Sequence, residues 1–193
     1  MKVKKEEYID GAIFHFYNRT VENELLFRED QDYLLFLRIL KKALKAMPVK
    51  LYTYCLMPNH FHFLIQQGQG LPVFRLFNAL LSSYVQRYNK KYKRRGSLMG
   101  GPLQSKYIEN NEYLINVSRY IHLNPLKANL VSKLEDWKYS NYSEWIGKRR
   151  GSLFNPSLLI EYFDTGKEYE NSIQEYINWM ADEKFTDMLF DSK

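Results

Sequence analysis

KLYTYCLMPNHFHFLIQQ, residues Lys50–Gln67, is the stretch that decides the fold. Lys50 to Met57 and His60 to Gln67 are dominated by aromatic and aliphatic residues and read as two strands. Pro58-Asn59 is a turn pair that leaves room only for a tight connection, so the two strands form a hairpin. Successive side chains of a strand point to opposite faces. Phe61, Phe63 and Ile65 therefore share one face of the second strand, and His60 and His62 share the other.

Upstream, Ile13-Phe-His-Phe-Tyr-Asn18 reads as a first strand. A helix is predicted from about Asp30 to Ala46, because Tyr33, Phe36, Leu37, Leu40 and Leu44 recur at three- and four-residue steps. Glu29, Asp30 and Asp32 at its start and Lys41, Lys42 and Lys45 near its end suit the helix dipole. Downstream, Pro72 opens a second helix with Val73, Leu76, Phe77, Leu80, Tyr84 and Tyr88 on one stripe. The Gly-rich segment Gly96–Gly101 is expected to be mobile. Leu103 to Ile108 makes a fourth strand, and a third helix fits Asn111 to about Leu123, since Pro125 disfavours helix at Asn124. The order is the α+β, ferredoxin-like βαββαβ arrangement plus one helix. Trp137, Tyr139, Tyr142 and Trp145 form an aromatic segment expected to pack on this unit. A last helix is placed after Ser172, with Ser172 and Glu175 as a capping box and Ile173, Tyr176, Ile177 and Met180 in helical register. The organisation expected is a main domain over residues 1–145 and a helical C-terminal extension over 146–193.

With 193 residues and 45% hydrophobic content, the chain supports one full core. It has no apolar run long enough to span a membrane. Met1-Lys-Val-Lys-Lys-Glu-Glu lacks the apolar stretch of a signal peptide, which makes the cytoplasm the expected compartment. The single cysteine, Cys55, rules out an internal disulfide and a thiolate metal cluster. A net charge of +6 and 16% aromatic content suit a polyanionic partner with unpaired bases, although aromatic rings also serve the core.

Three groups of residues can carry chemistry. His60 and His62, side by side, make half of a metal site, or else two ordinary polar-face residues. Tyr120 and Asn124 are four apart and share a helix face while the helix lasts. A phenol can attack a phosphodiester and an amide oxygen can ligate a hard ion; equally, Tyr120 can be a core ring and Asn124 a cap before Pro125. His122, two residues from Tyr120, points away from it. The third group, Arg87, Lys90, Lys91, Lys93, Arg94 and Arg95, interleaved with Tyr88 and Tyr92, offers phosphate contacts and stacking surface; a solvated helix end is the alternative.

Taken together, Tyr17-Asn-Arg19, Tyr54-Cys-Leu-Met-Pro-Asn-His-Phe-His62, Tyr88-Asn-Lys-Lys-Tyr-Lys-Arg-Arg-Gly96, Tyr120-Ile-His-Leu-Asn-Pro-Leu-Lys-Ala128 and Trp137-Lys-Tyr-Ser-Asn-Tyr142 resemble the single-tyrosine HUH transposases, in particular the REP-associated tyrosine transposases. The resemblance covers roughly residues 13–142. It implies His60 and His62 as ligands of Mg²⁺ or Mn²⁺, Asn124 as a further ligand and Tyr120 as nucleophile. It also implies hairpin-bearing single-stranded DNA as substrate, a 5′-phosphotyrosine intermediate, and either a homodimer or a monomer. Family members usually carry Gln-Gly-Arg-aromatic-Lys-Ser after the basic segment. This chain has Gly100-Gly-Pro-Leu-Gln-Ser105, with Pro102 and Gln104 in place of the two cations. Other readings are a replication initiator or relaxase of the same chemistry, a domesticated DNA-binding protein without cleavage, and an RNA binder of ferredoxin-like fold.

Overall fold

In a computed structural model, which describes residues 9–70 and 72–182, four strands make one antiparallel sheet. They are β1 (Ile13–Arg19), β2 (Lys50–Met57), β3 (His60–Gln66) and β4 (Gln104–Tyr107), in the order β2-β3-β1-β4. Two helices, α1 (Asp30–Lys45) and α2 (Val73–Lys91), connect the strands in the βαββαβ sequence. The hairpin turns at Pro58-Asn59, which puts Met57 opposite His60. The N-terminal residues weighed above as a possible leader, and Met180 as a side chain, lie outside what is described.

Alternation sorts the sheet into two faces. Phe14 and Phe16 of β1 and Phe61, Phe63 and Ile65 of β3 meet Tyr33, Phe36 and Leu40 of α1 and the stripe Val73, Leu76, Phe77, Leu80, Tyr84 and Tyr88 of α2. On the other face Cys55, Met57 and Leu64 meet a third helix, α3 (Asn111–Lys127), through Leu114, Val117, Tyr120 and Ile121. The pairing of β2 with β3 slips between Leu51 and Thr53. This one-residue bulge lets Leu51 share the α1/α2 face with Tyr54 and Leu56, three and five positions on, which strict alternation forbids.

The aromatic segment packs as its composition predicts. Trp145 is fully buried in a four-residue helix, α4 (Tyr142–Trp145), and its indole N–H donates to the Tyr52 carbonyl. Residues 139–141 run along the outer edge of β2: Leu56 N donates to Tyr139 O, Asn141 N to Tyr54 O, and Cys55 bridges to Ser140. Two further helices, α5 (Ser157–Tyr162) and α6 (Gly166–Asp182), place Leu158, Tyr169, Ile173 and Tyr176 in the same cluster as α3.

Several local expectations are corrected. α3 does not stop before Pro125 but runs through it to Lys127. Proline removes the N–H that would have bonded the Ile121 carbonyl. The Asn124 amide turns back along the helix instead, donating to Tyr120 O at 2.9 Å and to Ile121 O at 3.4 Å. α6 begins at Gly166, not after Ser172. Its start is held by Glu168 N donating to Thr165 Oγ1 and by Asp164 N donating to the Glu168 carboxylate, so the serine/threonine-x-x-glutamate signal that acts is Thr165–Glu168. Ser172 is inside the helix, donating back to Tyr169 O. The segment expected to be mobile is pinned: Val21 N donates to Leu98 O, Gly100 N to Arg19 O, and Leu98 is fully buried.

Candidate active site

β1 and β3 lie antiparallel with Tyr17 opposite His62 and His15 opposite Leu64, so His15, Tyr17, His60 and His62 project from one face of adjacent strands. α3 crosses this face and brings Tyr120 to it. The ring centres of His60 and His62 are 5.1 Å apart, and those of His62 and Tyr120 5.5 Å. Residues 58 positions apart in the chain are thereby neighbours. Asn124 lies one turn further along α3, nearly buried. Its Nδ2 donates to helix carbonyls, which leaves Oδ1 as its acceptor atom.

The ring nitrogens are constrained. His60 Nδ1 is 2.6 Å from Asn59 Oδ1. The oxygen only accepts, so His60 carries its proton on Nδ1 and its lone pair on Nε2. His62 Nδ1 is 3.0 Å from His15 Nε2, both rings fully buried and stacked. Burial holds His62 well below the ordinary histidine pKa, with the positive charge that His15, His60 and Arg19 would add acting the same way. Burial, helped by Lys106, pushes His15 down to about 3. Neutral imidazoles are what a divalent ion requires. Among the described residues no three His, Cys, Asp or Glu side chains are grouped to hold a metal. His60 and His62 would be the imidazole donors to an ion here, and Asn124 on α3 carries an amide oxygen. That donor set fits a hard-to-borderline divalent ion. Lys127 Nζ sits 5.2 Å from the centre of the Tyr120 ring, and burial holds Lys127 itself below the ordinary lysine pKa.

His15 is the residue that sequence reasoning missed. Its signal was present: in Ile13-Phe-His-Phe-Tyr it alternates with two phenylalanines just as His62 alternates with Phe61 and Phe63. His122, in contrast, belongs to the packing. Asn141 Oδ1 can only accept, so His122 Nε2 donates to it at 3.0 Å, and Nδ1 accepts from Tyr169 OH at 2.7 Å. Burial pushes His122 down to about 3.

The six basic residues divide. Lys91 pairs with Glu29 and Asp32, and Arg94 grips Glu24 with two nitrogens. Arg87 is exposed and bonds back to the Ser83 carbonyl. Lys90, Lys93 and Arg95 are exposed. The stacking surface expected of the tyrosines is corrected: Tyr88 is buried with its hydroxyl on the Leu25 carbonyl, and Tyr92 donates to Asp32, because both rings complete the packing between α1 and α2. The chain that follows the segment stands at the same end of the sheet as His60. Val21 bonds Leu98, Thr20 N bonds Asn59 O, and Asn59 adjoins His60. Beside these contacts lies a cleft of about 310 Å³ lined by Tyr17, Asn18, Arg19, Thr20, Gly100, Gly101, Pro102 and Gln104. Gly100 sits close to the chain there: a Cβ would stand 3.1 Å from the Thr20 carbonyl oxygen, so a larger residue would have to push that carbonyl aside. Pro102 and Gln104, the departures from the usual motif, line this cleft, and Gln104 Nε2 donates to Pro102 O.

Comparison with known proteins gives the family and the fold. The family model described as "Transposase IS200 like" matches residues 9–124. A Haemophilus influenzae protein carrying the provisional description of a REP-associated tyrosine transposase is 25% identical over 113 residues, which are 53% of this chain and 64% of that protein. The chain thus spans less than two thirds of that relative's length. A solved structure of a REP-associated tyrosine transposase bound to a REP hairpin superposes with a TM-score of 0.61 over 82% of this chain and 96% of the other, at 16% identity. At that identity the likeness is one of fold.

Proposed function

Since the chain belongs to the IS200-like transposase family, we propose that it is a metal-dependent DNA strand transferase that cuts and rejoins hairpin-bearing single-stranded DNA through Tyr120. The observation that carries this is the meeting of Tyr120 with the His60–His62 pair across the sheet, ring centre to ring centre at 5.5 Å from His62. The substrate class is taken from the relative bound to a REP hairpin. Described residues contain no helix long and apolar enough to cross a membrane, which suits work on DNA in the cytoplasm.

His60, His62 and Asn124 would hold Mg²⁺ or Mn²⁺. When bound, the ion supplies polarisation of the scissile phosphate and offsets charge that develops on it. A phenol with an ordinary pKa of ~10 is almost wholly protonated at neutral pH, so the chain must favour its ionised form. Lys127, 5.2 Å from the ring centre, would be the nearby cation for that part. Tyr120 Oη forms a bond to phosphorus as the bond from phosphorus to the 3′ oxygen breaks. The phenol gives up its proton and the leaving oxygen takes one, giving a 5′-phosphotyrosine and a 3′-hydroxyl. One phosphodiester replaces another, so rejoining is the reverse step and needs no nucleotide. Lys90, Lys93 and Arg95 would hold phosphates of the strand as it passes the end of the sheet.

The test is covalent capture. Labelled hairpin strands incubated with protein and Mn²⁺ should give an SDS-resistant adduct, none in EDTA and none with Tyr120→Phe, while Tyr120→Phe binds the strand within a few-fold of wild type. An adduct in Tyr120→Phe would place the nucleophile elsewhere. Tight binding without any adduct from wild type would favour a DNA-binding protein that no longer cleaves.

A further inference from the structure

We propose that His15 is a positioning residue for the ion site, holding His62 in the one tautomer that can bind a divalent ion; this rests on the function proposed above. The two rings are diagonal neighbours on β1 and β3, His15 facing Leu64 and Tyr17 facing His62 across the pairing. His15 Nε2 and His62 Nδ1 are 3.0 Å apart, and the ring centres are 5.1 Å apart at an interplanar angle of 24°. Two neutral imidazoles share one proton in such a contact. If His62 donates from Nδ1, its Nε2 carries the lone pair that an ion needs. If His15 donates instead, the proton of His62 sits on Nε2 and bars the ion.

His15 thus takes the part that a carboxylate or a backbone carbonyl commonly takes behind a metal-bound histidine. It is fully buried, so water does not compete for the contact. It also meets the Tyr120 ring edge-on, with centres 6.3 Å apart. One side chain therefore orients a ligand and borders the nucleophile. His60 obtains the equivalent support from Asn59, which lies beside it in the turn. His62, mid-strand, has no turn residue within reach, and the neighbouring strand provides its partner.

Two measurements test this, neither of which is turnover. In the ion-free full-length protein, ¹⁵N NMR should find His62 protonated on Nδ1 and bare on Nε2; protonation on Nε2 would overturn the inference even if no variant folds. Mn²⁺ titration followed by electron paramagnetic resonance should find binding weakened about 10- to 100-fold in His15→Ala. His15→Gln, whose amide oxygen still accepts, should recover much of that loss. Unchanged affinity in a folded His15→Ala protein would dismiss the role. Binding that needs His60 and His62 but not His15 would leave the ion site standing and remove only this inference. Binding indifferent to all three would end both.

Discussion

On one face of β3, Phe61, Phe63 and Ile65 are sealed among the rings of α1 and α2; on the other, offset by a single residue, His60 and His62 look toward Tyr120. β1 repeats the arrangement with Phe14 and Phe16 against His15 and Tyr17. Both faces are covered by helices, and both are largely dry. They differ in what burial costs. Aromatic rings gain by leaving water at any pH. An imidazole leaves water without large penalty only while neutral. The strand period of two lets one backbone build a pH-indifferent core and a pH-sensitive site side by side, and makes register decisive, since a slip of one residue would exchange them.

The largest expected effect separates the faces by pH. His15, His62 and His122 have folded-state pKa values held below the ordinary value near 6.5, His15 and His122 at about 3. Above pH 6.5 neither folded nor unfolded chains protonate them, and their contribution is intact. As the pH falls below 6.5 the unfolded chain takes up protons that the folded one refuses, so stability is lost. Each histidine contributes a slope of about 1.4 kcal/mol per pH unit. Urea unfolding in EDTA at pH 7, 6 and 5 should follow this trend, and His122→Gln should remove about a third of the histidine share. A stability that is flat from pH 7 to 5 would mean that the rings are hydrated.

Next in size, Phe63→Ala should cost roughly 3–5 kcal/mol of unfolding free energy, while its neighbour His62→Ala shifts the urea midpoint far less but abolishes covalent capture. Similar midpoints for the two variants would break the distinction between the faces. The smallest effect concerns the end of α2. Lys90, Lys93 and Arg95 changed together to Gln should weaken hairpin binding and flatten its salt dependence by about 0.7 per lost contact, leaving the melting temperature alone. Lys91→Gln with Arg94→Gln should do the reverse, lowering the melting temperature by releasing Asp32 and Glu24 and altering DNA affinity less. Equal effects of the two sets on affinity would show that ion pairing does not withhold Lys91 and Arg94 from the strand.

Most of the fold was legible because it depends on period. The hairpin at Pro58-Asn59, the stripe of α2 and the sidedness of β3 all follow from alternation or helical spacing, which local sequence carries. His60, His62 and Tyr120 could be picked out as residue types, but their meeting required the fold. What was illegible depends on partners distant in sequence. Nothing near His15 announces His62, 47 positions away. Lys91 and Arg94 looked free because Asp32 and Glu24 lie 59 and 70 positions off. Pro125 looked like a helix end because the rule that it breaks helices omits a side chain able to satisfy the orphaned carbonyl, which Asn124 is. The start of α6 was misplaced because two serine/threonine-x-x-glutamate signals lie close together, and only burial of Ser172 tells them apart.

The strip of chain from Tyr139 to Asn141 that closes the outer edge of β2 has a consequence for how the protein is made. β2 emerges from the ribosome about 80 residues before its cover. At ~5–20 residues per second its outer hydrogen-bonding groups wait on the order of ten seconds. An uncovered edge strand is a template for pairing with another chain. The nascent polypeptide is therefore most prone to stick to its neighbours midway through translation, and a pause placed between β2 and the Trp137–Trp145 segment would lengthen that exposure.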